Sequence, residues 1–264
     1  MNYTGKTIWI TGASSGIGEA MAKELAKTKC KLILSGRNLH ALKEVEERCI
    51  KLGSRVQLAP FDLGKSEEVN DVAKAVIESN ETIDCLINVG GLSQRSLVIE
   101  TSIVIDRKIF EINFFGTIAL TKALLPIMIR QGGGQIVATS SIVGKFGFPL
   151  RSAYSASKHA LHGFFESLRA ENVHNNIKVS LIIPGRINTS ISINAIDADG
   201  KKYGLLDDGQ ASGMDVDKSA RIIIRKLKAE KKEILVGGKE LLMVHIRRFL
   251  PFLYYKLSSK INPK

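Results

Sequence analysis

The sequence predicts an α/β fold built on a doubly wound parallel sheet, and three observations lead there. Short apolar runs alternate with helical stretches, without a break, from residue 6 to residue 236. Such alternation calls for a parallel sheet covered by helices on both faces. A glycine-rich turn separates the first strand from the first helix, where the backbone must pass closely with no side chain in the way. The 264 residues, 44% of them apolar, suffice for a single large domain with a sizeable core.

The elements follow in order. Residues 6–11 (KTIWIT) read as a short buried strand, and residues 19–27 as a helix with Ala and Leu at helical spacing. Between them lie Gly12, Ser14, Ser15, Gly16, Ile17 and Gly18. Glycines in a strand–turn–helix passage let backbone N–H groups approach a pyrophosphate at the helix N-terminus, so a dinucleotide is expected here. Residues 31–35 form the second strand and end at Arg37. This strand end faces the adenosine ribose, where an acid suits the 2′-hydroxyl of NAD and an arginine the 2′-phosphate of NADP. With Arg37 and no acid present, NADP(H) is expected in preference to NAD(H).

Asn38 is placed to cap a helix over 38–52, strand three covers 55–59, and a helix runs over 67–79. Strand four (83–87) runs into Asn88, Val89 and Gly90, and a long apolar helix over 106–130 contains Asn113. Strand five (135–139) leads into Ser140 and Ser141, and the helix over 152–172 carries Tyr154 and Lys158. Strand six (177–183) ends at Pro184 and Gly185, with Ile187 and Thr189 just beyond. Residues 190–216 are polar and rich in Gly and Asp, and are expected to form a mobile lid. A helix over 217–230 and a strand over 233–236 complete the domain, taken as residues 1–238.

Residues 239–264 change character. Bulky apolar residues share the segment with Arg247, Arg248, Lys256 and Lys260, and Pro251 divides it into two short helices. This basic amphipathic extension could lie on a membrane surface, cover a substrate pocket, or pack on the domain or a neighbouring subunit. The net charge is +12. Residues 201–264 hold 15 Lys and Arg against 7 Asp and Glu, so +8 sits there and +4 in the first 200. No nucleic-acid module accompanies the charge, so no nucleic-acid partner is expected. Cys30, Cys49 and Cys85 show neither disulfide pairing nor metal-ligand spacing, which points to reduced thiols, a cytoplasmic chain and no metal site. The first strand begins at residue 6, and no apolar run reaches the roughly 18 residues of a membrane span, so neither a signal peptide nor a transmembrane helix is expected.

Tyr154 and Lys158 stand one helical turn apart, so both tips can reach one small volume. An ammonium beside a phenol favours the phenolate and is expected to lower its pKa, which suits a general acid or base.

Together, Gly12 to Gly18, Asp62, the turn from Asn88, Asn113, Ser141, Tyr154 with Lys158, and Pro184-Gly185 with Thr189 resemble the short-chain dehydrogenase/reductase family. The stretches GGLSQRSL and YSASKHALHGFF resemble its branch of member 7 type enzymes and 11β-hydroxysteroid dehydrogenases. The resemblance implies a single-domain Rossmann fold with a seven-stranded sheet ordered 3-2-1-4-5-6-7, working as a homodimer or homotetramer. It also implies hydride transfer between a nicotinamide and a carbonyl or secondary alcohol of a hydrophobic small molecule. Asn113, Ser141, Tyr154 and Lys158 would be catalytic, with Asn113 holding a relay water. Of the two serines, Ser141 stands thirteen residues before the tyrosine, as the family requires. The cofactor would be lined by Gly12, Ser14, Ser15, Gly16, Ile17 and Gly18. Arg37, Asp62, Leu63, Asn88 and Gly90 would follow, then Pro184, Gly185, Ile187 and Thr189, with Tyr154 and Lys158. The turn after strand four departs from the family pattern, reading Asn-Val-Gly-Gly with Val89 in place of a second asparagine. Two rival activities share these residues: a 3-oxoacyl ketoreductase acting on carrier-bound or coenzyme A-bound chains, and a non-catalytic NADP(H)-binding scaffold.

Overall fold

A computed structural model describes residues 1–258 and 260, so residues 259 and 261–264 of the C-terminal extension lie outside it. Seven strands make one parallel sheet in the order β3-β2-β1-β4-β5-β6-β7. They are β1 (Thr7–Thr11), β2 (Lys31–Ser35), β3 (Arg55–Leu58), β4 (Cys85–Asn88), β5 (Gly134–Thr139), β6 (Ile177–Pro184) and β7 (Glu233–Val236). The alternation predicts such a parallel sheet, and the family resemblance predicts this strand order. Strand β4 starts later than expected and takes in Asn88, which pairs with Thr11 of β1 and Ala138 of β5.

Strand residues alternate faces, and that alternation splits the core in two. Ile8, Ile10, Leu32, Leu34, Ile87 and Val137 pack against α1 (Gly16–Ala26), α2 (Leu39–Lys51) and a later helix over Val216–Lys228. Trp9, Ile33, Leu86, Ile136 and Ala138 face the opposite way. They meet α3 (Ser66–Glu78), a long helix over 103–130 and a helix over Ser152–Glu171. Each fully buried aliphatic side chain contributes about 1.5–3 kcal/mol. The central strands therefore have no solvent face, which is why they read as continuous apolar runs, whereas the edge strand β3 (Arg55–Leu58) exposes Arg55. Asn38 does cap α2, accepting from Ala41 N at 3.1 Å.

The long helix is not uniform. It consists of α4 (Ile103–Phe110), a π-helical turn (Glu111–Phe115) and α5 (Gly116–Arg130). By length and composition alone its 28 residues are apolar enough to cross a membrane, where the sequence reading found no such run. The apolar character has a local cause, since Leu120, Leu124 and Met128 are wholly buried in the core.

Next come α6 (Ser152–Glu171), α7 (Asp208–Ala211) and α8 (Val216–Lys228). The segment 190–216 is folded down rather than left as a free polar loop. Its Ala195 and Ile196 are buried, and it forms bridges between Gln94 and Ile196 and between Ile187 and Met214. The C-terminal extension makes α9 (Leu242–Phe249) and α10 (Pro251–Ser258). Pro251 opens α10, where its missing N–H has no helical partner to lose.

The pairing of β1 with β2 carries one buried polar contact, from Trp9 Nε1–H to Ser35 Oγ at 2.8 Å. Replacing Ser35 by Ala leaves that indole N–H buried and unpaired. The expected loss is about 1–3 kcal/mol in urea unfolding. An unchanged transition would show that this bond contributes nothing to holding the two strands together.

Candidate active site

The carboxyl ends of β1, β2, β4, β5 and β6 open onto one cavity of about 1490 Å³. This is where an open parallel sheet binds its ligands. The cavity floor is made of glycine. Gly12 holds φ +66, and a Cβ there would come within 2.6 Å of Gly90 N. A Cβ on Gly18 would collide with the Gly12 carbonyl oxygen. The backbones of the β1 and β4 turns thus touch directly, which brings the N-terminus of α1 up to the cavity. Ser15 caps α1 without a side-chain hydrogen bond, so the first N–H groups are free to meet an anion. Ser14, Ser15, Gly16 and Ile17 line the cavity at this end. A cradle that any side chain would fill is a fit for the pyrophosphate of a dinucleotide.

At the far end, Arg37 reaches from the close of β2, its side chain largely exposed, 3.9 Å from Asp62 Oδ2. Asp62 Oδ1 accepts from Gly64 N at 2.9 Å, which sets the turn bearing Leu63. Leu63, Gly90, Pro184, Gly185, Ile187 and Thr189 also line the cavity. Two expected cofactor residues do not. Gly18 lies behind the turn as a packing position. Asn88 is buried, its Nδ2 donating to Thr121 Oγ1 at 3.4 Å and Val137 O at 3.3 Å. Its Oδ1 is buried without a protein partner. Both residues shape the cradle from below.

Tyr154, Lys158 and Ser141 meet in the middle of the cavity. Lys158 is buried, donates from Nζ to Thr139 O at 2.7 Å, and sits 5.8 Å from the centre of the Tyr154 ring. Burial alone lowers its pKa to about 8. Burial raises the Tyr154 pKa, against a hydrogen bond with Ser141 and the charges of Arg151 and Arg95, which pull it down. That is the reverse of the direction expected from an ammonium one turn away, because desolvation of the phenolate outweighs every nearby charge. Ser141 also accepts from Val143 N at 3.4 Å, opening the tight turn Ile142–Gly144. Its neighbour Ser140 points elsewhere, donating to Lys158 O at 3.0 Å.

Asn113 lies outside the cavity lining. It sits inside the π-helical turn, fully buried, and its carboxamide is occupied by protein. Oδ1 accepts from Leu92 N at 2.7 Å, while Nδ2 donates to Leu92 O at 2.9 Å and Ser157 Oγ at 3.0 Å. It joins the β4 turn to α6 one residue before Lys158.

Gln94, Arg95, Arg151 and Asp207 escaped the sequence reading. Gln94 is wholly buried, and its Oε1 accepts from Ala153 N at 3.0 Å and Tyr154 N at 3.4 Å. It supplies the cap that Arg151, the residue before α6, does not. Arg95 and Arg151 share one carboxylate, Asp207 Oδ2, at 2.6 and 2.9 Å. That carboxylate belongs to the segment 190–216 and pins it over the cavity. The C-terminal extension supplies Tyr254, which donates to Gly147 O at 2.7 Å and packs on Phe146 with ring centres 5.6 Å apart. Of the three roles open to the extension, covering the pocket is thus one that this contact performs.

The glycine cradle at the head of a parallel sheet defines a Rossmann-type nucleotide-binding protein. A family model described as short chain dehydrogenase matches residues 6–199. The mouse dehydrogenase/reductase SDR family member 7B is 41% identical over 255 residues, which cover 95% of this chain and 79% of the mouse protein. A short-chain dehydrogenase/reductase from Burkholderia phymatum, solved with NAD, superimposes with a TM-score of 0.83 at 24% identity over 100% of this chain and 98% of that one. An alcohol dehydrogenase from Thermococcus sibiricus, complexed with 5-hydroxy-NADP, gives a TM-score of 0.75 at 26% identity, covering 89% of this chain and 97% of that one. The chain belongs to the short-chain dehydrogenase/reductase family and is an oxidoreductase.

Gln94→Ala removes the cap of α6, together with the bonds that Nε2 gives to the Ser96, Thr101 and Ser152 hydroxyls, while leaving Ser141, Tyr154 and Lys158 in place. The expected cost is about 1–2 kcal/mol of stability. Gln94→Glu, which retains the acceptor but loses the Nε2 donor and buries a carboxylate, should restore only part of it. Equal melting of all three proteins would show that the cap does not hold the helix.

Proposed function

We propose that this protein transfers a hydride between NADP(H) and a carbonyl or secondary alcohol of a hydrophobic small molecule. The observation that carries this reading is the meeting of Ser141, Tyr154 and Lys158 beneath an apolar wall of Val143, Phe146 and Tyr254. The nicotinamide supplies the hydride chemistry when bound. The chain's own residues do the rest. N–H groups at the start of α1 hold the pyrophosphate, and the Arg37 guanidinium pairs the 2′-phosphate. Lys158 holds the nicotinamide ribose, and the Ile187 amide faces the carboxamide. Ser141 donates to the substrate oxygen, most strongly as negative charge develops there. Tyr154, kept protonated by burial, gives its proton to that oxygen during reduction. The carboxamide of Asn113 is engaged with Leu92 and Ser157, so it acts by holding α6 against the β4 turn.

The wall is built from the turn after β5 and from the C-terminal extension, and its aromatic character favours an apolar ketone over a sugar or a short acid. Exposed Ile103, Val104 and Phe115 on the long helix suit a subunit interface, hence a homodimer or homotetramer. Exposed Phe249 and Phe252 beside Arg247 and Arg248 suit peripheral contact with an anionic membrane surface. Free, buried thiols at Cys30, Cys49 and Cys85 suit a reducing, cytoplasmic setting.

Two measurements test the reading. Tyr154→Phe should lower kcat for reduction of an aromatic ketone by about a hundredfold or more, with NADPH binding retained in fluorescence titration. Retained turnover would remove the proton-donor role. Arg37→Ser should reduce the ratio of kcat/KM with NADPH to that with NADH by about tenfold, the loss of one charge-assisted hydrogen bond. Equal efficiency of the unaltered protein with both cofactors would overturn the assignment of Arg37 to the 2′-phosphate.

A further inference from the structure

Behind the cavity, where α6 crosses β7, His162 has no part in the chemistry above. It lies one turn past Lys158 and is 8% exposed. Its Nε2 is 2.9 Å from Ser140 Oγ. The single proton of Ser140 already goes to Lys158 O at 3.0 Å, so Nε2 carries the ring hydrogen and donates. Nδ1 is therefore left as a bare lone pair. It is buried and has no partner. It points between two carboxylates, with Glu233 Oε1 at 3.9 Å and Glu166 Oε1 at 4.0 Å. All three donor atoms lie within 4.8 Å of one another.

A lone pair facing two carboxylates is a repulsive arrangement unless something positive lies between them. Lys145 meets part of the demand by pairing with Glu233 Oε1 at 2.6 Å, yet it leaves Nδ1 untouched.

We propose that His162 Nδ1, Glu166 and Glu233 form a binding site for a divalent cation of the zinc class, with Lys145 as the group the metal displaces. The donor set favours that class. One imidazole nitrogen and two carboxylate oxygens, with a fourth position open to water, match zinc, whereas magnesium and calcium take oxygen donors alone. The ring is held ready by its other nitrogen, as metal-binding histidines are, here through Ser140. His162 and Glu166 share a face of α6 one turn apart, and β7 brings Glu233 alongside from far along the chain. Spacing in the sequence could not have paired them. The site touches the active site from the rear. Ser140 links His162 to the backbone of Lys158, and Lys145 immediately precedes Phe146 of the cavity wall.

The test is calorimetric titration of chelator-treated full-length protein with zinc chloride, followed by zinc X-ray absorption. One saturable equivalent with a nitrogen and oxygen shell is expected. Glu166→Gln and Glu233→Gln should each weaken binding by about tenfold or more, and Lys145→Met should tighten it. Glu166 is half-exposed, so its replacement leaves the fold intact, as circular dichroism would verify. Absence of a saturable equivalent, sulfur in the shell, affinity unchanged in both glutamine variants, or magnesium bound as tightly as zinc would each overturn the proposal.

Discussion

The carboxamide of Asn113 is the contact on which the site's geometry depends. With one side chain it closes a two-way bond to the backbone of Leu92 and a third bond to Ser157. Leu92 follows the turn whose Gly90 touches Gly12, and Ser157 precedes Lys158. The dinucleotide cradle and the Tyr154 helix are thus referred to one buried group. A buried amide with its partners in place is rigid, because each freed bond would leave a polar atom dry. The π-helical turn makes this possible. By adding a residue to the helical circuit it lets the helix aim the Asn113 carboxamide inward without breaking.

The second constraint is electrostatic. Two guanidiniums, Arg95 and Arg151, meet one carboxylate, Asp207, at the rim of the cavity. Arg95 is buried and also donates to Ser93 Oγ at 2.9 Å and Gln94 O at 2.6 Å, so its charge is solvated by the protein itself. Burial lowers the Arg151 pKa to about 10, and the Arg95 charge adds to that, while Asp207 opposes it. Asp207 therefore serves as anchor for segment 190–216 and as counter-charge for a pair that would otherwise repel. The segment is polar in composition because its task is to meet these charges, not because it is bound to be loose.

Those features mark the boundary of what could be read in advance. Gly12, Gly16, Tyr154 and Lys158 were legible because each acts through local geometry: a strand-to-helix turn, or one turn of a helix. The two-sided core followed from central strands with no polar face, and the sheet order from the family resemblance. Asp207 was not legible, because it meets Arg95 across 112 positions of chain. Gln94 reaches Ala153 across 59, through a loop with no repeating pattern. The π turn was hidden for a different reason, since one added residue inside a long, largely apolar helix leaves no separate mark in the sequence. Tyr254 was assigned to an extension of open role, and only packing shows it against Phe146.

The reversed pKa of Tyr154 bears on how the reaction could be driven. Spacing alone suggests a lysine that draws the proton off the phenol. The cavity does something else: burial pushes the phenol up and the ammonium down, so both groups move toward their neutral forms. Lys158 gives its hydrogen bond to Thr139 O, not to the tyrosine, and its strongest influence is on whatever lies over it in the cavity. In this arrangement the phenol holds its proton until a stronger base forms beside it. An alkoxide developing on the substrate, hydrogen-bonded to Ser141, is such a base. On the proposed function, burial would make Tyr154 an acid that responds to the chemistry, with the direction of proton transfer set by the substrate oxygen.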